Sequence, residues 1–139
     1  MPPELGAFDC RNNRLAFLGL LQDGFADAVA AAARRHGPGR IGVFLGTSTS
    51  GILQTELAYR RREPASGALP QDFRYGTTHN TFSLADFARQ CLGLAGPAAV
   101  VSCACSSSAK VFASAHRMMA AGLIDAAVVG GVDSLCLTT

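Results

Sequence analysis

Residues Ala98 to Ser134 constrain the fold more than any other stretch of the chain. A Gly96-Pro97 turn signal precedes Ala98–Val101, a short apolar run with β-branched residues, which predicts a buried strand. Ser106, Ser107 and Ser108 follow, then Ala109–Ala121, a run rich in Ala and Met. That run predicts a helix apolar on most of its surface, and therefore a central, buried one. Gly122 supplies the stop, and Ala126–Val132 begins a second predicted buried strand, ending in Gly130-Gly131. Strand, tight turn, helix and strand together make a βαβ unit with a parallel pair.

Cys105 falls where the first strand turns into the helix. At a helix start the unpaired N–H groups and the macrodipole both favour negative charge, which draws a thiol from its usual pKa of roughly 8.5 toward neutrality. The small neighbours Ala104, Ser106 and Ser107 leave the sulfur open to a substrate. From position alone, two readings stand: an activated nucleophile, or a small buried hydrophobe of the kind most unpaired cysteines are. His116 lies about three helical turns further on, roughly 16 Å along the axis, and cannot serve that sulfur as a base. Lys110 is five residues on, about 140° around the helix, and is no better placed.

Upstream, Met1–Phe8 carries two prolines and no periodicity, which predicts a loop or a frayed start. Leu15, Leu18, Phe25, Val29 and Ala32 run at helical spacing to Arg35, with Asn12 or Asn13 as N-cap. Gly19 and Gly24 leave one helix or two open, and His36-Gly37-Pro38-Gly39 ends the run. Arg40–Gly46 predicts a strand and Thr47-Ser-Thr-Ser-Gly51 a hydroxyl-rich turn. Gly46 and Gly51 have the spacing of a phosphate loop, but Ile52 and Leu53 stand where Lys and Ser/Thr would hold the phosphates, which excludes nucleotide binding. Ile52–Arg62 predicts a short helix and Glu63–Gly76 an irregular loop. Ser83-Leu-Ala-Asp86 resembles a capping box opening a helix to Leu92, with Leu84, Phe87, Ala88 and Cys91 on one stripe. His79, alone in a loop, is expected to be structural.

The 139 residues are one domain's worth of chain, half apolar and low in charge, which suits a packed α/β core. Arg34-Arg35 and Arg60-Arg61-Arg62 lack the interleaved aromatics of a nucleic-acid platform. No apolar run is long enough for a membrane span and no signal-peptide pattern opens the chain, so the expected location is cytoplasmic. Cys10, Cys91, Cys103, Cys105 and Cys136 form an odd set without zinc spacing, expected to be free thiols in a reducing compartment.

Several separated motifs agree with one family. Ala104-Cys-Ser-Ser-Ser108 after a Val-rich strand, the Ala-rich helix, Gly122-Leu-Ile-Asp-Ala-Ala-Val-Val-Gly-Gly-Val-Asp-Ser134 and, upstream, Gly42-Val-Phe-Leu-Gly-Thr-Ser48 resemble the β-ketoacyl-[acyl carrier protein] synthases, condensing enzymes of the thiolase superfamily. The likeness runs from about Arg11 to Thr139. It implies a partial three-layer thiolase-like α/β fold, with residues 1–139 forming part of the N-terminal half around a parallel sheet and a buried nucleophile helix.

The resemblance further implies a decarboxylative Claisen condensation in fatty acid or polyketide-type synthesis, with Cys105 carrying the acyl thioester and no metal or organic cofactor. The implied partners are acyl carrier protein, bearing acyl and malonyl groups, and a second copy of the chain paired through the strand 98–103. The histidines and lysine that assist the cysteine in this family come from a later part of a longer protein. The chain alone, a cut-out piece or the product of a truncated gene, is therefore expected to be inactive. Cys103 departs from the family, which often has Thr there. Arg11-Asn-Asn-Arg14, Thr47-Ser-Thr-Ser-Gly51, Ser106-Ser-Ser-Ala-Lys110 and Gly131-Val-Asp-Ser-Leu-Cys136 resemble most the synthases of aryl polyene pathways. The alternatives are a non-catalytic subunit of the chain-length-factor type, which usually lacks the cysteine, and an unrelated thiol hydrolase.

Overall fold

Three parallel strands carry the molecule, and the one made first lies in the middle. The computed structural model describes residues 1–138. Strand β1 (Ile41–Gly46) pairs on one side with β2 (Ala98–Val101) and on the other with β3 (Ala126–Gly131), giving the order β2-β1-β3. The two strands of the predicted βαβ unit are thus parallel but not paired with each other. β1 has every residue buried and takes the position where both faces and both edges are covered. Strand β2 ends at Val101 rather than Cys103, and beyond it Cys103 makes only an isolated bridge to Cys105.

Among the described residues, five α-helices accompany the strands: α1 (Arg11–Leu20), α2 (Phe25–His36), α3 (Ile52–Arg60), α4 (Ser83–Cys91) and α5 (Ser107–Ala120). Side chains alternate across β1. Ile41, Val43 and Leu45 join α1, α2 and α4 in one core with Phe8, Leu84, Phe87 and Ala88. Phe44 faces the other way and packs with Val111, Ala115 and Ile124. Helices, sheet and α5 make the three layers that the thiolase-like resemblance implied. No single helix is long and apolar enough to cross a membrane.

Several local expectations give way to tertiary contacts. Residues Pro3–Phe8 form a 3-10 helix anchored by the buried Leu5 and Phe8. The apolar run 15–32 is two helices, set 75° apart at a break that holds Asp23 and Gly24 in the left-handed region. Cys10, not Asn12 or Asn13, caps α1 through its sulfur, because both amides are drawn into the interior. Asn12 donates to Val132 O at 3.2 Å and Asn13 to Phe8 O at 2.9 Å. No capping box forms at α4, where Ser83 N–H bonds instead to Asn80 Oδ1 at 2.8 Å.

Helix α5 is buried along one stripe only. Ser107, Val111 and Ala115, four apart, face the sheet, whereas Phe112 and Met119 are exposed. The expected burial on most of its surface is not met, because a three-stranded sheet covers one side of a helix and none of the described residues covers the other.

Candidate active site

In a parallel sheet the carboxyl ends of all strands lie on one side, and their loops meet there. Here Thr47–Ser50 follows β1, Ser102–Ser106 follows β2 and Val132–Ser134 follows β3. Thr47 N–H reaches Val101 O at 3.2 Å and Val132 N–H reaches Gly46 O at 3.0 Å, which prolongs the ladder into the loops.

Asp133 gathers the turn after β1. One carboxylate oxygen accepts from Ser48 N–H at 2.6 Å, Thr49 N–H at 3.0 Å and the Thr47 and Thr49 hydroxyls at 3.0 Å each. Burial pushes its carboxyl up, but these donors, led by Ser48 N–H, outweigh it and hold the group below its ordinary value. Ser48 then carries the connection to the third loop. Its hydroxyl donates to Ala104 O at 3.2 Å and lies 3.4 Å from the Ser107 hydroxyl.

The turn Cys103–Ser107 is tightly held. Ser106 N–H and Ser107 N–H bond back to Cys103 O and Ala104 O. Ser106 Oγ donates to Cys103 O at 2.9 Å, and Ser107 Oγ donates to Ala104 O at 2.7 Å while accepting from Cys103 N–H at 2.8 Å. Ala104 sits at φ +47°, a conformation that costs a residue with a side chain about 1–2 kcal/mol. The bonds that converge on its carbonyl offset that cost. The effect is to present Cys105, exposed, immediately before the Ser106 N-cap of α5.

Close packing brings α5 to this corner. A Cβ on Gly46 would stand 2.5 Å from Ser108 N, and one on Gly131 would overlap Ser108 Oγ. Only glycine in both strands lets the helix start so near the sheet.

Lys110 acts on the neighbouring thiol. Its ammonium donates to Cys103 Sγ at 2.8 Å. That contact first, and the Ser106 hydroxyl second, hold the Cys103 thiol below its ordinary value. His36 ends α2 at the amino side of β1, away from these loops. His79 has its ring 4.4 Å from that of Phe73 and its Nδ1 accepts from Arg74 N–H at 3.0 Å, a structural role as expected. His116 is exposed on α5. Among the described residues no group of His, Cys, Asp and Glu could hold a metal ion. A groove of about 340 Å³ runs beside β2, lined by Phe82, Arg89 and Ala98–Val100, and does not reach Cys105.

Sequence reasoning placed the candidate Cys105 at the start of α5, where it lies, but not the Asp133–Ser48 connection, nor the pairing of Lys110 with Cys103. Asp133→Asn keeps the volume and replaces a charged acceptor of four bonds by a weaker one. Allowing for the exposure of the residue, the expected loss is about 1 kcal/mol at neutral pH, read by urea unfolding. Because the native carboxyl titrates below its ordinary value of 3.8, the difference between the two proteins is full above that pH and vanishes as pH falls through the native value.

Comparison with known proteins places this arrangement. The family model described as the β-ketoacyl synthase, N-terminal domain, matches residues 13–138. No curated protein matches. A solved structure of a ketosynthase (ApeO) in complex with its chain length factor (ApeC) from Xenorhabdus doucetiae contains a chain 35% identical to this one, with a TM-score of 0.81. The alignment covers 98% of the present chain and 34% of that one, so this chain spans about a third of that chain's length.

Proposed function

Because the chain belongs to the β-ketoacyl synthase family, we propose that it serves decarboxylative Claisen condensation, with Cys105 as the thiol that takes up the acyl group. One observation carries the assignment: Cys105 is an exposed thiol on a strained, heavily bonded turn at the carboxyl end of β2, immediately before α5. Cys105 Sγ attacks the carbonyl carbon of an acyl thioester on acyl carrier protein. A new C–S bond forms, the carrier's C–S bond breaks, and the carrier thiol leaves. The Cys105 N–H supplies half of an oxyanion hole for that step. A malonyl thioester then loses carbon dioxide and its α-carbon attacks the acyl carbonyl: a C–C bond forms, the C–S bond to Cys105 breaks, and the Cys105 thiol is released. This chemistry calls for no metal or organic cofactor, and the motifs shared with aryl polyene synthases favour that type of product.

The cysteine separates this reading from a non-catalytic subunit of the chain-length-factor type. A thiol hydrolase would need a base at Cys105, and His36, His79, His116 and Lys110 are each placed or engaged elsewhere. For the same reason this chain by itself is expected to accept an acyl group and not to condense it. Incubation with an acyl thioester, followed by intact mass and peptide mapping, should show a lasting adduct on Cys105. Rapid release of free acid would favour the hydrolase instead. Malonyl-dependent ketoacyl product from the purified chain would refute its inactivity alone.

We further propose that β2 pairs with the same strand of a second copy. It is an edge strand, uncharged and with exposed Ala98 and Ala99, so its outer backbone groups are open to pairing. Pairing of a surface with its own copy about a two-fold axis would satisfy both edges at once. Val100→Lys should convert a dimer to a monomer in sedimentation, whereas a lysine at Ala113, exposed on α5, should not. A monomer at high concentration for the unsubstituted chain would end this proposal.

A further inference from the structure

We propose that Cys103 and Cys105 form a peroxide-sensitive dithiol, in which Cys103 reacts first, assisted by Lys110, and Cys105 resolves it to a disulfide. Three observations carry the inference, and they are specific to this pair. The first is charge. Lys110 reaches back seven residues to place its ammonium 2.8 Å from Cys103 Sγ, an arrangement that favours the thiolate, the form that attacks peroxide.

The second is reach. Only Ala104 separates the two cysteines, so their Cα atoms are at most about 7 Å apart by chain geometry alone. The left-handed turn at Ala104 folds the chain between them, and the pair forms a bridge across it. Disulfides span Cα separations of about 4.4–6.8 Å, a range open to two residues this close in the chain.

The third is access. Cys103 and Cys105 are both exposed, whereas Cys10 is buried and Cys91 half-buried, each with its thiol pushed up by burial. The two sulfurs most open to a small oxidant are therefore neighbours, and one of them is paired with a cation.

The chemistry balances with one peroxide. Cys103 Sγ attacks one peroxide oxygen, the S–O bond forms, the O–O bond breaks, and hydroxide leaves and is protonated to water. Cys105 thiolate then attacks Cys103 Sγ, the S–S bond forms, the S–O bond breaks, and a second hydroxide leaves as water. Two thiols lose two electrons and hydrogen peroxide is reduced to two waters, while a dithiol reductant reverses the bond. The inference rests on the acyl-carrying role of Cys105 only for its consequence, which is that the disulfide would mask the sulfur that takes the acyl group.

The test is limiting hydrogen peroxide on the full chain, with free thiols then blocked and the peptides mapped. The expected product is a Cys103–Cys105 disulfide that dithiothreitol removes. Cys105→Ser should leave a sulfenic acid on Cys103, trapped by dimedone. Lys110→Gln should slow oxidation about tenfold by lowering the thiolate fraction, with Lys110→Arg restoring most of the rate. First oxidation at Cys105, or Lys110→Gln oxidised at the parent rate, would overturn the proposal. Acyl loading of Cys105 is read separately in Cys103→Ala. Failure there would count against the condensing role and leave the disulfide result standing.

Discussion

Cys105→Ala is expected to abolish acyl loading, lowering it by at least about 10³-fold, while leaving the fold intact. The asymmetry follows from the structure. The side chain is exposed and fills no core space, so its truncation should shift stability by no more than about 0.5 kcal/mol. The covalent step, by contrast, has no substitute nucleophile in the right place. Ser106 and Ser107 both commit their hydroxyls to backbone carbonyls of the same turn. Cys103 is the one rival, being exposed and paired with Lys110. Cys103→Ala should therefore keep the adduct and Cys105→Ala should lose it, with intact mass reading both. Loading that survives in Cys105→Ala and vanishes in Cys103→Ala would move the nucleophile two residues upstream.

Gly46→Val should cost about 3 kcal/mol or more, enough to unfold a large fraction of a marginally stable domain. The added Cβ would meet Ser108 N at 2.5 Å and the Ser107 carbonyl carbon at 2.6 Å. Both are backbone atoms in the first turn of α5, and neither can swing aside as a flexible side chain would. The helix start must move off the sheet, and the turn that presents Cys105 moves with it. Gly39→Ala is the matching control, because a Cβ there meets nothing within 4 Å. Urea midpoints for the two variants should differ widely. A Gly46→Val protein with the parent midpoint would mean that α5 does not approach β1 as closely as the structure has it.

Local pattern carried much of this fold. Apolar runs marked all three strands, and the stripe Leu84, Phe87, Ala88 marked α4, because burial on one face leaves a period in the chain. Pattern could not show that β1 separates β2 from β3, since strand order is a property of packing between runs and not of any one run. It misplaced the α1 cap for a related reason. Asn12 and Asn13 have good capping chemistry, but Val132 and Phe8 supply them with stronger demands from elsewhere in the fold. At the site, the resemblance singled out Cys105 by its motif. The bonds from Asp133 to Thr47–Thr49 join residues far apart in sequence, which no spacing rule reaches. Helical geometry turns Lys110 away from Cys105, and only the folded turn shows that its partner is the sulfur two residues earlier.

The central position of β1 also bears on how the chain comes to fold in time. β1 is synthesised before either strand it pairs with, and its partners arrive only after long intervening segments. The last of these contacts, such as Arg40 with Asp125, close across 85 residues. Until β3 emerges, one edge of β1 and part of both its apolar faces have nothing native to rest on. Parallel pairings of such separation give high contact order, which slows folding toward the millisecond-to-second range and lengthens the interval in which an unpaired apolar edge can meet another chain. Refolding from urea should therefore be slower than in helical proteins of similar size, and yields should fall as protein concentration rises. The strand that anchors the finished sheet is the one that waits longest for its neighbours.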